Sequence, residues 1–190
     1  LISLDTPSIQ LDMDNSDTDI PEGRYRIVSG FYVLEKKNTM VSFKNGPECR
    51  IISGQTTKVE IGKPKLKVEA VEGAMVQTAR IEETTSFSRN SLVNLRLKLI
   101  GIQGEVYNGM ISEVPEGKNL YKELPSPHLQ ILGPEGKEVV ASDLKLGRYG
   151  YEFLWKPQGL VPGHYTIKAK RDTGAFAGQL EAELELTLTE

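Results

Sequence analysis

The sequence predicts an all-β protein of two antiparallel β-sandwiches in tandem. Three observations carry this prediction. The dominant hydrophobic period is two, clearest in QLEAELELTLTE at residues 179–190, where Leu180, Ala182, Leu184, Leu186 and Leu188 alternate with Glu and Thr. A helix would scatter these leucines around its circumference, so the alternation outweighs the helix propensity of Leu and Glu. Apolar runs are short and punctuated by 18 glycines and 10 prolines. The same turn-and-tyrosine phrase also occurs twice, as IPEGRYRI at residues 20–27 and LVPGHYTI at residues 160–167.

In chain order, strands are expected around 24–29, 31–35, 39–44, 48–52 and 56–61. Gly62 and Pro64 then interrupt the pattern in GKPKL and place a domain boundary there, giving domains 1–64 and 65–190. The first is short for an independent core. It is either a small sandwich or a truncated one. In the second, strands are expected around 65–72, 92–100, 104–111, 128–132, 137–141, 150–156, 163–171 and 179–189. Gly133-Pro134-Glu135-Gly136 between two apolar runs reads as a hairpin turn, and residues 117–124 as the one place for a turn of helix.

The totals exclude several classes. With 38% hydrophobic and 26% charged residues the chain is too apolar for disorder. A net charge of −3, a pI near 5.6 and no clustered basic face argue against nucleic-acid binding. Lys63, Lys65 and Lys67 alternate along one segment between Glu60 and Glu69, which reads as a solvated strand face. No run approaches the roughly 18 apolar residues of a membrane span. The chain begins Leu-Ile-Ser, which leads us to expect a processed or excised chain whose targeting segment has been removed. The single cysteine, Cys49, excludes an internal disulfide framework, and there is no Asn-X-Ser/Thr sequon.

The repeated phrase has a structural reading. In Greek-key sandwiches a tyrosine near the start of one strand turns its hydroxyl back onto the preceding crossover. Pro162-Gly163 before Tyr165, with Ile167 and Ala169 continuing inward, supplies the pattern, and Gly23, Tyr25 and Ile27 repeat it. The phrase LVPGHYTI resembles the corresponding strand of fibronectin type III and bacterial immunoglobulin-like domains. The first segment, with Gly23, Tyr25 and then SGQTTKVEIG at residues 53–62, is similar to transthyretin-like (carboxypeptidase regulatory-like) modules. That resemblance implies a closing strand at SGQTTKVEIG. Antibody-type domains differ: Ile167 stands where they carry a cysteine, and Trp155 precedes the corner rather than lying on their third strand. Resemblance at this level implies fold and leaves function open.

Candidate chemistry is sparse. Asp12, Asp14, Asp17 and Asp19 supply the carboxylate density calcium favours, but Ser16, Asp17 and Gly23 fall where an EF-hand needs a ligand, a glycine and a glutamate. A solvated loop before Tyr25 is the simpler reading. Asp172-Thr173-Gly174 matches the aspartic-protease triplet, which would require a second copy to share the proton. The simpler reading is the turn between the last two strands. His128 and His164 have no ligating neighbour at metal spacing, nor does Cys49. Ser88, Ser91 and Ser142 lack a nucleophile elbow and read as loop or strand-end residues. Tyr149, Tyr151, Phe153 and Trp155 share one strand face, either as a sugar-stacking platform or, more simply, as core. Glu181, Glu183 and Glu185 read as charges protecting an edge strand.

These readings assign no catalytic residue, no metal and no cofactor, and leave the binding residues open. The expected role is a non-catalytic interaction, spacer or cell-surface module of an exported bacterial protein, periplasmic or surface-located, with a protein or glycan partner. The alternative is a carbohydrate-binding or accessory domain of a larger extracellular hydrolase.

Overall fold

The computed structural model describes residues 1–5, 19–34, 39–73, 85–113, 122–123, 125–147, 150–174 and 176–190. Among these the fold is all-β, with several antiparallel sheets compatible with a β-sandwich. The strands of the first half are β1 (Ile2–Ser3), β2 (Gly23–Arg26), β3 (Ser29–Leu34), β4 (Thr39–Lys44), β5 (Glu48–Ile51), β6 (Lys65–Glu72), β7 (Ser86–Ser88) and β8 (Val93–Ile100). They are followed by β9 (Val106–Glu113), β10 (Lys122–Glu123), β11 (His128–Leu132), β12 (Glu138–Asp143), β13 (Lys145–Gly147), β14 (Gly150–Trp155), β15 (Gly163–Asp172) and β16 (Gln179–Thr189).

The chain divides into two compact units. Unit 1 is Leu1–Pro64 with Ile100–Lys122, and unit 2 is Lys65–Leu99 with Glu123–Glu190. Where the sequence divides the chain once, at 64/65, the chain here passes between units three times, and β9 belongs to unit 1.

Unit 2 has two sheets. One runs β13-β14-β8 with β6 on β8; the other runs β12-β11-β15-β16-β7. β11 pairs antiparallel with β12 and β15, β14 with β13 and β8, and β15 with β16, whereas β7 runs parallel to β16 from Ser86 to Ser88. The alternating rows meet in one core: Leu66 and Val68, then Val93, Leu95 and Leu97, with Leu129, Ile131, Ile167, Leu186 and Leu188, all buried. The Trp155 ring lies 5.6 Å from that of Tyr165, joining a strand of one sheet to a strand of the other. The hairpin at residues 133–136 forms as expected. Gly133 N–H donates to the Lys137 carbonyl at 2.8 Å, and Glu135 and Gly136 take φ of 70° and 73°. The turn packs on the tyrosine corner, since a Cβ on Gly163 would stand 3.0 Å from Pro134 Cγ.

Unit 1 is smaller. Its strands pair in the orders β1-β2-β5 and β9-β4-β3. Among the described residues its buried hydrophobic side chains are Tyr25, Val41, Phe43 and Tyr107, with the Phe43 and Tyr107 rings edge to face at 6.2 Å. Phe43 fits because two neighbours lack side chains: a Cβ on Gly30 would stand 2.7 Å from its ring, and one on Gly46 3.0 Å away.

Both tyrosine corners form. Tyr25 donates its hydroxyl to the Pro21 carbonyl at 2.9 Å, and Tyr165 donates to the Val161 carbonyl at 2.8 Å, each four residues back. Each strand starts at the glycine two residues before its tyrosine, with φ of 154° at Gly23 and 151° at Gly163.

Two expectations differ from what forms. Residues 56–61 keep the period of two in their burial but join no ladder. Periodicity specifies faces, whereas a strand also needs a neighbour for its backbone groups. Of the expected helical turn at 117–124, Lys122–Glu123 is a two-residue strand, and residues 117–121 and 124 lie outside the described residues. The lysines read as a solvated face do meet solvent, Lys63 and Lys65 exposed and Lys67 half-buried, but farther along β6 and on β8 the polar side chains are covered. Glu69, Asn94 and Arg96 are 8%, 0% and 5% exposed.

Candidate functional site

A recess lies within unit 1. It is an open groove of about 840 Å³. β3 contributes Ser29, Gly30 and Phe31, and β5 contributes Cys49 and Ile51. The extended segment at 56–61 contributes Thr57, Val59 and Ile61, and Phe43 with Ile27 completes the apolar wall. Period two explains why Thr57, Val59 and Ile61 share that wall while Lys58 and Glu60 stand exposed. Phe31 is 61% exposed, and among the described residues with placed side chains it is the one exposed aromatic. Strands β3 and β5 each end their sheet, so each offers one side of unpaired backbone among the described residues. Burial pushes the Cys49 thiol up, against a smaller opposing pull from the N-terminal ammonium, so at neutral pH it stays a thiol.

The residues singled out for chemistry are tied into structure. Asp172 ends β15 and caps a tight turn, its carboxylate accepting the Gly174 N–H at 2.8 Å. Thr173 is fully buried and donates its hydroxyl to the Gly178 carbonyl at 2.7 Å. The triplet thus makes the β15–β16 turn. His128 Nδ1 lies 2.9 Å from Asp143, and His164 Nδ1 lies 3.2 Å from the Thr187 hydroxyl. Ser88 donates to the Glu190 carbonyl, Ser91 to Glu72 and Ser142 to the Asp143 carbonyl. Of the four aspartates, only Asp19 falls among the described residues, at the groove rim; Asp12, Asp14 and Asp17 lie outside them. Among the described residues no group of three His, Cys, Asp or Glu side chains stands close enough to hold a metal ion.

Tyr151 and Trp155 are buried at 7% and 3% and Phe153 is half-buried, so these three form core; Tyr149 lies outside the described residues. The glutamates of β16 also pair across the sheet. Lys170 pairs with Glu181 at 2.8 Å and Lys168 with Glu183 at 3.7 Å, while the Thr166 hydroxyl donates to Glu185 at 2.8 Å. They form cross-strand rungs with β15.

One residue escaped the sequence reading. Glu105, in the tight turn after β8, is a fully buried carboxylate held by Gly62, Gln103 and Tyr107. The two glycines just before it, Gly101 and Gly104, are the signal the sequence carries. No protein-family model, curated protein or solved structure matches the chain.

Proposed function

We propose that the chain is a non-catalytic binding module of an exported bacterial protein, whose recognition surface is the apolar groove of unit 1. The carrying observation is the groove itself: an apolar wall of Phe31, Phe43, Ile51, Val59 and Ile61 beside two open strand edges. Recesses of this size with few polar groups favour ligands with apolar side chains. Open edges favour an extended peptide that adds its backbone to a sheet. The periplasmic or surface location rests on the resemblance to bacterial modules, and fractionation of the native host tests it.

The immunoglobulin-like reading of unit 2 has support in its strand order. Taking β6, β8, β11, β13, β14, β15 and β16 as strands A, B, C, D, E, F and G yields an A-B-E-D sheet and a C-F-G sheet. The corner tyrosine then stands on F. The transthyretin-like reading of unit 1 rests on Gly23, Tyr25 and the SGQTTKVEIG phrase, whose closing segment joins no ladder.

Calorimetric titration with extended peptides of alternating apolar residues, run beside a glycan array, tests the proposal. We expect saturable peptide binding that Phe31→Asp weakens about tenfold or more, with Trp155 fluorescence unchanged. Binding restricted to glycans and indifferent to Phe31→Asp would favour the carbohydrate-binding or accessory reading. Absence of both would refute a recognition role for the groove.

A further inference from the structure

We propose that Glu105 is an acid-labile clamp. Its enclosed carboxylate holds the corner at Gly62 and Lys63 against the turn at residues 101–107 of unit 1, and protonation releases that corner. Oε1 accepts the Gly62 N–H at 2.8 Å and the Tyr107 hydroxyl at 2.7 Å. Oε2 accepts the Gln103 N–H at 2.9 Å. Backbone bonds close the same ring: Ile102 N–H to the Gly62 carbonyl at 3.0 Å and Gly101 N–H to the Glu105 carbonyl at 2.8 Å. Space for the carboxylate exists because residue 101 is glycine; a Cβ there would stand 1.9 Å from Oε1.

A buried carboxylate ordinarily needs a cation or a proton. Here the described partners are neutral donors. The Tyr107 hydroxyl is the titratable group bonded to it. Lys63 of the same corner pairs outward with Glu60 at 3.5 Å, both well exposed. Lys44, opposite Val106 on β4, is also exposed. Burial pushes the Glu105 carboxyl up, but the Gly62 N–H and Tyr107 hydroxyl, with the backbone N–H groups of Glu105 and Gln103, outweigh it and hold the group below the ordinary glutamate range.

A lowered folded-state pKa fixes the sign. The clamp contributes fully above about pH 4.3, the unfolded glutamate value, and is lost as pH falls through the lower folded value. Protonation turns one accepting oxygen into a donor facing donors. At the corner it holds, Lys63 takes a left-handed φ of 48° that disfavours a non-glycine residue, so release has somewhere to go.

The test is NMR on the full chain, following the Glu105 carboxyl carbon and the exchange of the Gly62 and Gln103 amides. The expected carboxyl midpoint lies below about 4.3, with both amides losing protection as it titrates while Ile131 and Ile167 keep theirs. Glu105→Gln should accelerate exchange at Gly62 and Gln103 about tenfold or more at neutral pH. Should that variant fail to fold, Tyr107→Phe removes one donor and must raise the carboxyl midpoint. A midpoint at or above the ordinary value, or amides at Gly62 and Gln103 that ignore the titration, would overturn the clamp.

Discussion

Tyr25 and Tyr165 each bury an aromatic ring to 1% exposure while sending the hydroxyl four residues back to a carbonyl. Removing that hydroxyl strands the carbonyl and leaves the ring in place. Tyr165→Phe should therefore cost about 1 kcal/mol, read from urea midpoints at constant slope. Burial pushes the Tyr165 hydroxyl up. A raised folded-state pKa stabilises fully below about pH 10 and fades as pH rises through the higher folded value. The stability gap between the native chain and Tyr165→Phe should then shrink on the alkaline side; a gap that holds constant through that range would contradict the hydroxyl's role.

At the scale of elements, β8 is buried on both faces. Val93, Leu95 and Leu97 face the unit 2 core, and Asn94 and Arg96 are enclosed on the other side. Arg96 stands opposite Glu152 of β14, with 3.8 Å between Nε and the carboxylate. Glu69 of β6 takes Lys98 at 2.5 Å and Lys67 at 3.5 Å. The Asn94 amide, fully buried, has no hydrogen-bond partner among the described residues. An unpaired buried amide costs about 1–3 kcal/mol, so Asn94→Leu, close in volume, should stabilise unit 2 by part of that amount. Chemical denaturation followed by Trp155 fluorescence measures it, and a destabilised variant would mean the amide has a partner. In unit 1, Gly30→Ala should drive Phe43 from its seat between β3 and Gly46 and cost about 1–3 kcal/mol, visible as a lowered melting midpoint.

At the scale of the molecule, the two units differ in how much apolar surface they bury. Unit 1 buries four large hydrophobic side chains among its described residues, whereas most of the core belongs to unit 2. Trp155 reports on unit 2 alone and Cys49 on unit 1 alone. With increasing urea, thiol labelling of Cys49 should precede the loss of Trp155 fluorescence, since the smaller core yields first. Coincident transitions would show the two units unfolding as one.

Sequence alone specified, through alternating hydrophobicity, the strands at 65–72, 128–132 and 179–189 and, through turn residues, the turn at 133–136 and the tyrosine corners, whose partners lie within four residues of the ring. Such features are local: side-chain period and turn chemistry specify them before any distant segment arrives. Tertiary structure alone decided that residues 56–61 find no ladder and that β9 belongs with unit 1. It likewise decided that the polar face of β8 is covered and that Glu105 is enclosed between Gly62 and Gly101. The groove is of the same kind, since Phe31, Ile51 and Ile61 come from three separate segments. The physical reason is that a period of two assigns each side chain to a face. What lies against that face, and which strand completes the backbone hydrogen bonds, is supplied by residues remote in sequence.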